Sequence, residues 1–462
     1  MDGGTERPRA GGPGAPGVRP RQDASLATRR RPRTGAPGGG LDRRAFLTGT
    51  AGLAALALAG CAPTGGAPRG GAGTTLRFYE QKQEVVAYFR ELLDRFEAAS
   101  SGLSVVHDTT SAIAPQFVRG EPADVGCFNG ALELARYVER GVLSDLSDLP
   151  SASRVRPDVM DLSEQYATFP GRQSVIPYSL TAAGVIYNKA IFADLGLPVP
   201  TTWSQFVDVC DALAAAGVTP IYATDRDPWT LWQGLFDYSV GSLVDPGDFF
   251  PRMAEQGTDV GPDSPVSFEK DFAVPMERAA VVSSYFNPDH AVRGYADGNL
   301  AFGQGGVGMY LQGPWALSQI ALVDESLEVG TFPLPLTEDP ADTLARVNID
   351  LALWIPTASR HEDEARELVE FLMQPEIIDG YNADNLAYST TLDAPPQRDE
   401  RLAGLQASVD SAAFYQGAGT FVPASVPLGN YLQSAVRSGD FPGMLRQLDA
   451  DWRRLAGRGA TV

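Results

Sequence analysis

Among 462 residues there are only three cysteines, three histidines and three lysines, Lys82, Lys189 and Lys270. Each shortage removes a class of chemistry. Cys61, Cys127 and Cys210 are too few for a disulfide framework, and none has a C-x-x-C partner. His107, His290 and His361 stand in no H-E-x-x-H or related spacing, so no metal site is expected. A G-x-S-x-G elbow, a P-loop and a dinucleotide fingerprint after a strand are all missing. The run Gly303-Gln304-Gly305-Gly306-Val307-Gly308 comes nearest, but its spacing fits neither phosphate motif and reads as a turn or packing element. No stretch after Cys61 has the ~20 apolar residues needed to cross a bilayer, and no internal repeat is visible. Carboxylates are abundant enough for a glycosidase pair, yet nothing selects one pair over the others. No catalytic residue and no cofactor is therefore assigned.

What the chain does have begins with Arg43-Arg44-Ala45-Phe46-Leu47, an apolar run to Ala59, and then Leu58-Ala59-Gly60-Cys61. A twin arginine before a weakly hydrophobic segment reads as a twin-arginine export signal. The four residues ending at Cys61 read as a lipobox, whose cysteine is lipidated and becomes the mature N-terminus. The apolar run is too short to span a membrane and carries two glycines. Residues 1–61 are thus a disordered leader plus export signal, the part before Arg43 being either a long basic leader or codons upstream of the true start. Residues 62–74, rich in Gly, Pro and Thr, read as a flexible tether. The expected location is the outer face of the cell membrane, held only through the lipid.

The whole chain carries 37 basic and 57 acidic residues; from Cys61 onward these are 27 and 53, a net charge near −26. Such a body repels nucleic acid and anionic lipid surfaces.

Apolar spacing outlines the folded part. Thr75–Tyr79, Leu103–His107 and Ala123–Phe128 read as strands, interleaved with helices over Glu84–Ala99 and Leu132–Glu139. That alternation argues for βαβ units and an α/β domain, and the length from residue 75 onward suits two domains. Ser174–Tyr187 is nearly continuous in apolar residues, as a buried strand would be, and Thr202 caps a helix over Trp203–Ala216 ended by Gly217. Cys210 falls on the apolar face of that helix and reads as a buried free thiol. Leu300–Leu311 reads as a strand beside a tight turn, Leu351–Ile355 as another strand, and Glu362–Met373 as an amphipathic helix. Helical patterns follow at Arg401–Ala413, Tyr431–Arg437 and Phe441–Leu455.

Several blocks, taken in order, resemble the sugar-binding components of bacterial ABC importers, the extracellular solute-binding family that includes maltose-binding protein. They are Ile176-Pro177-Tyr178-Ser179-Leu180, then Tyr187-Asn188-Lys189, Gly196-Leu197-Pro198 and Pro200-Thr201-Thr202-Trp203. Asp227-Pro228-Trp229 follows, and then Phe302 to Met309 running into Gly313-Pro314-Trp315-Ala316. The resemblance spans most of residues 75–455. It implies a two-lobed periplasmic-binding-protein fold of the α/β class, with hinge strands and the ligand in the cleft between lobes. Lobe one would be 75–180 with about 350–400, and lobe two 181–345 with about 401–462. Cys127 and Cys210 would then lie in different lobes, against a disulfide between them.

A pyranose offers flat C–H faces and a rim of hydroxyls, so its site needs aromatic rings for the faces and polar side chains for the rim. On the family pattern the stacking rings are Trp229 and Trp315, with Phe128 and Asn129 as further lining and Tyr178 and Thr181 on the first inter-lobe crossing. Glu80, at a strand end where α/β sheets place ligands, reads either as a hydroxyl acceptor or as a solvated loop carboxylate. The chain departs from the family at Asn348-Ile349-Asp350-Leu351-Ala352-Leu353-Trp354, where relatives often carry a glycine-rich stretch. Asp350 there makes an amino sugar or another cationic solute conceivable. The implied function is a monomeric, non-enzymatic receptor that hands a sugar or oligosaccharide to ABC permease subunits. Alternatives are a receptor for a polyol, polyamine or peptide, and an exported carbohydrate-active enzyme.

Overall fold

The computed structural model describes residues 73–458, apart from 83, 84 and 131. The export signal, Cys61 and nearly all of the tether lie outside these residues.

Nine strands form the frame: β1 (Thr74–Tyr79), β2 (Leu103–Asp108), β3 (Val125–Phe128), β4 (Ile176–Asn188), β5 (Thr219–Tyr222), β6 (Val307–Gln312), β7 (Val329–Phe332), β8 (Ala345–Trp354) and β9 (Phe414–Gln416). Their order is β2-β1-β3-β8-β4-β6-β5, with β7 also on β4 and β9 also on β8. β1 runs parallel to β2 and β3, as the βαβ reading requires. Two strands are shared. The first half of β4 pairs with β8 from Ile176 to Ala183, and its second half pairs with β6 and β7 from Gly184 to Asn188. β8 likewise meets β3 at one end and β9 at the other. The fold is therefore two-lobed and α/β: a lobe built on β1–β3 and a lobe built on β5–β7, joined through β4 and β8.

The near-continuous apolar character of β4 follows from this position. Ala182 and Ile186 face one hydrophobic core while Ala183 and Val185 face another, so neither side of the strand meets water. Around the sheets, helices present one apolar stripe each. In Glu362–Leu372 the buried positions are Ala365, Leu368, Val369 and Leu372, and three acids occupy the first turn, where the helix dipole favours them. Thr202 caps Trp203–Ala215 by accepting from the Gln205 N–H at 3.3 Å, and Cys210 sits buried on that helix. Cys127 and Cys210 are free thiols in different cores.

One expected element is corrected. The strand beside a tight turn read over Leu300–Leu311 is present but shorter: Tyr295–Gly303 is a helix, Gly305 turns the chain at a φ of +79°, and Val307–Gln312 is extended. The helix start is set by Asp297, which accepts from the Gly294 N–H at 2.8 Å, and that capping contact outweighs the glycine content of the run. A helix at Ile113–Arg119 and the helical stretch from Pro228 to Val292, including a π-helical turn over Leu231–Phe236, were not foreseen from spacing.

The joint carries a buried ion pair. Arg346 on β8 is 1% exposed and Asp237 is fully buried; the guanidinium donates to Asp237 Oδ2 at 2.8 and 3.1 Å. Asp237 Oδ1 accepts from the Gly419 N–H at 2.7 Å, and its carbonyl accepts from the Tyr415 hydroxyl at 2.7 Å. Asn348 accepts from both terminal guanidinium nitrogens at 2.8 Å. Burial pushes the Asp237 carboxyl upward, opposed by Arg346 and by the Gly419 N–H. Removing one partner leaves an uncompensated buried charge, so Arg346→Met is expected to cost about 3–5 kcal/mol. Asp237→Leu with Arg346→Met should recover part of that loss in urea unfolding, and additive losses would contradict the coupling.

Candidate functional site

The second lobe brings the two predicted tryptophans together through a third ring. Trp229 lies in the helical turn Pro228–Thr230 that follows the loop after β5, and nearly every residue of that loop is tied down. The Ala223 N–H donates to Asn287 Oδ1 at 2.7 Å, and the Thr230 hydroxyl reaches the carbonyls of Thr224 and Asp227 at 3.0 and 2.9 Å. The Asp225 and Arg226 N–H groups donate to the carbonyls of His290 and Arg293 at 3.1 and 2.9 Å. Asp227 Oδ2 accepts from the Tyr295 N–H at 2.7 Å. Tyr295 then packs on Trp229, ring centroids 5.0 Å apart, and its hydroxyl donates to the Trp315 carbonyl at 3.3 Å. A side chain held this way loses little freedom when a ligand arrives.

Trp315 follows β6. Its indole N–H donates to Gln312 Oε1 at 3.0 Å, and its ring folds back over Gly313, where a Cβ would stand 2.2 Å from a ring carbon. Only glycine permits that approach. Trp229 and Trp315 are both half-buried, and Trp315 packs against both cores.

Under the same loop, Asp225 is 1% exposed and pairs with His290 Nδ1 at 2.5 Å. Burial pushes its carboxyl upward, opposed by the His290 imidazole. Gln433, from the C-terminal helix Leu428–Ser438, donates to the Asp225 carbonyl at 2.5 Å. The pair supports the Trp229 loop from behind.

The first lobe contributes the ends of β1 and β3. Phe128 is half-buried, its ring 5.9 Å from Tyr79, and Asn129 is exposed. Thr181, on β4 opposite Asn348, is 8% exposed. Glu80 and Tyr178 are placed otherwise. Glu80 is fully buried, so the solvated-loop reading fails; its Oε1 accepts from the Lys82 N–H and its Oε2 stands 3.5 Å from His107 Nε2. Tyr178 is fully buried between Phe89 and Tyr381, at centroid distances of 6.0 and 5.2 Å, with no partner for its hydroxyl. Tyr178 sits where the β4–β8 register shifts, between Pro177 and Ser179, and its ring belongs to the first-lobe core.

Asp350 is bound by Lys82, whose ammonium contacts Oδ1 and lies 2.9 Å from the Asp350 carbonyl. The carboxylate is thus already neutralised, which removes the reason to expect a cationic solute. Lys82, Tyr295, Gln312 and the Asp225–His290 pair were missed in the sequence. The available signal for Tyr295 was Gly294-Tyr295-Ala296-Asp297, a helix-start pattern immediately before the run whose start was misread as a strand.

Residues 79–377 match the model of the bacterial extracellular solute-binding protein family. The chain belongs to that family. It is 25% identical over 347 residues to the multiple sugar-binding protein of Streptococcus mutans serotype c, covering 72% of this chain and 79% of the relative. It is 24% identical over 251 residues to the diacetylchitobiose binding protein DasA of Streptomyces coelicolor, covering 53% of this chain and 55% of that protein. In fold it is similar to apo RafE from Streptococcus pneumoniae, with a TM-score of 0.71 at 22% identity, covering 83% of this chain and 98% of RafE. The family is extracytoplasmic by description, and among the described residues no helix is long and apolar enough to cross a membrane.

If Tyr295 holds both tryptophans, Tyr295→Ala should shift the indole N–H signals of Trp229 and Trp315 in a proton–nitrogen spectrum and leave those of Trp203, Trp354 and Trp452 in place. The expected stability loss is about 2 kcal/mol, below that of a fully buried aromatic. Unmoved Trp229 and Trp315 signals would show that the tyrosine does not set their positions.

Proposed function

We propose that this protein is a sugar or oligosaccharide receptor of an ABC importer. The observation that carries the reading is the Trp229–Tyr295–Trp315 set, held rigid on the second lobe, within a family of solute-binding proteins. Half-buried aromatic residues suit the C–H faces of pyranoses, and neutral groups at Asn129 and Thr181 suit their hydroxyls. The names of the Streptococcus mutans and Streptomyces coelicolor relatives support the sugar class. The carboxylate that made a cationic solute conceivable, Asp350, is paired with Lys82, which weighs against a polyamine.

On this reading Phe128, Asn129, Thr181, Trp229 and Trp315 contact the ligand, while Glu80, Tyr178 and Asp350 shape the walls behind them. The lobes divide near residues 180 and 345–350, with 401–462 completing the second. The receptor acts as a monomer, catalyses no reaction, delivers its cargo to permease subunits, and is exported through the twin-arginine signal to be anchored at Cys61.

Two measurements test this. A thermal-shift screen across mono- and oligosaccharides should find a sugar that raises the melting temperature, because that sugar binds only the folded state. Trp229→Ala and Trp315→Ala should each weaken it by about 2 kcal/mol, roughly 30-fold; a sugar bound equally well by both variants would refute the site. For the anchor, Cys61→Ala should move the protein from the membrane fraction to the medium or soluble fraction, and an unchanged distribution would rule out lipidation there.

A further inference from the structure

Trp229 owes its place to the segment before it, and that segment is enclosed from two sides. On one side stands the helix Leu428–Ser438. A Cβ at Gly429 would lie 2.7 Å from both the Cβ and the carbonyl oxygen of Pro228, so glycine lets the helix seat against the turn. On the other side stands the short helical turn His290–Val292, whose first carbonyl receives the Asp225 N–H at 3.1 Å. The two sides meet at Asp225. Gln433 of the helix donates to its carbonyl, and His290 of the turn holds its carboxylate.

That carboxylate has little besides His290. Asp225 is 1% exposed; its Oδ2 stands 2.5 Å from His290 Nδ1, and its Oδ1 has no hydrogen-bond partner among the described residues. Burial pushes the carboxyl upward, opposed first by His290 and then by Arg437 of the same C-terminal helix. The other charged groups of these elements are engaged elsewhere. Asp289 accepts from Asn287 Nδ2 at 2.8 Å and from Arg293 Nε at 2.6 Å. Arg226 pairs with Asp297 at 3.5 Å, and Asp227 accepts from the Tyr295 N–H at 2.7 Å. The His290 ring otherwise meets Phe286, centroids 5.8 Å apart, which offers no charge. Its side chain is 19% exposed, so protons reach it from solvent.

An imidazolium compensates a buried carboxylate, whereas a neutral imidazole leaves that charge with Arg437 alone to oppose its burial. Histidine makes this change between about pH 5 and 8. We propose that His290 is a positioning residue for Trp229: its proton, held against Asp225, fixes the segment that carries the tryptophan, and the segment loosens as the proton leaves. Apparent affinity scales with the fraction of receptor in the competent form, so capture of ligand weakens as pH rises through this range. That consequence rests on the sugar-receptor reading. The positioning of Trp229 does not, and it is tested without ligand.

Proton–carbon and proton–nitrogen spectra of the full chain, recorded from about pH 5 to 8, follow the His290 ring and the Trp229 indole together. With three histidines in the chain, the ring signal lost in His290→Asn assigns His290. In wild type the Trp229 indole N–H signal should shift with the same midpoint as the His290 ring, while those of Trp354 and Trp452, each in a core, stay in place. His290→Asn keeps a neutral donor where Nδ1 stands. Its Trp229 signal should be independent of pH and match that of wild type at the alkaline end. A wild-type Trp229 signal that does not follow the His290 midpoint overturns the proposal without recourse to any variant. A Trp229 signal that titrates in His290→Asn as it does in wild type overturns it too. Neither result touches the receptor reading, which stands or falls on the sugar screen.

Discussion

Everything else in this molecule depends on the pairing of β4 with β8. Among the described residues β4 is the strand that pairs into both sheets, and β8 runs beside it from β3 to β9, so this ladder carries the strand pairing between the lobes. The sequence around the ladder reflects that demand. β4 is apolar on both faces because each face closes a core, and β8 carries Arg346, whose guanidinium is spent on Asp237 and Asn348 while Asp237 also holds the Gly419 N–H. A lysine at that place would supply a charge without the planar fork that reaches several acceptors at once.

The same economy of charge recurs in the site. Lys82 is one of three lysines in the chain, and it is consumed by Asp350; His290 is one of three histidines, and it is consumed by Asp225. In a strongly acidic protein these two carboxylates are thus each held against one of its few basic side chains.

Much of the fold was legible in the sequence because its signals are local. The first strand–helix alternation, the Thr202 cap and the amphipathic helix at Glu362 all follow from periodicity and capping, and the ordered blocks from Ile176 to Trp315 point to the family. The segment Pro228–Val292 was not readable, since its helices bury residues in a large shared core and show no clean stripe. The start of Leu300–Leu311 misled because glycines and apolar residues there serve packing against Tyr310 and Val323 rather than an extended chain. Within the site, the tryptophans could be placed from motifs, but Tyr295 could not, because its role arises from contacts across 66 and 20 residues of chain, to Trp229 and Trp315. Tyr178 and Glu80 show the complementary limit: spacing places a residue on or just after a strand without saying that its side chain is fully buried.

The β4–β8 ladder has irregularities between Pro177 and Leu180, where its register shifts twice. A bulge of this kind bends a strand and concentrates its twist. Tyr178 and Ser179 at this place are fully buried, and neither hydroxyl has a partner. Any flexing of one lobe against the other can therefore be absorbed as elastic distortion at the kink, with the flanking amide ladder intact. The joint would behave as a leaf spring rather than a frayed rope. Its amides would stay among the slowest in the protein to exchange with solvent even as the lobes move.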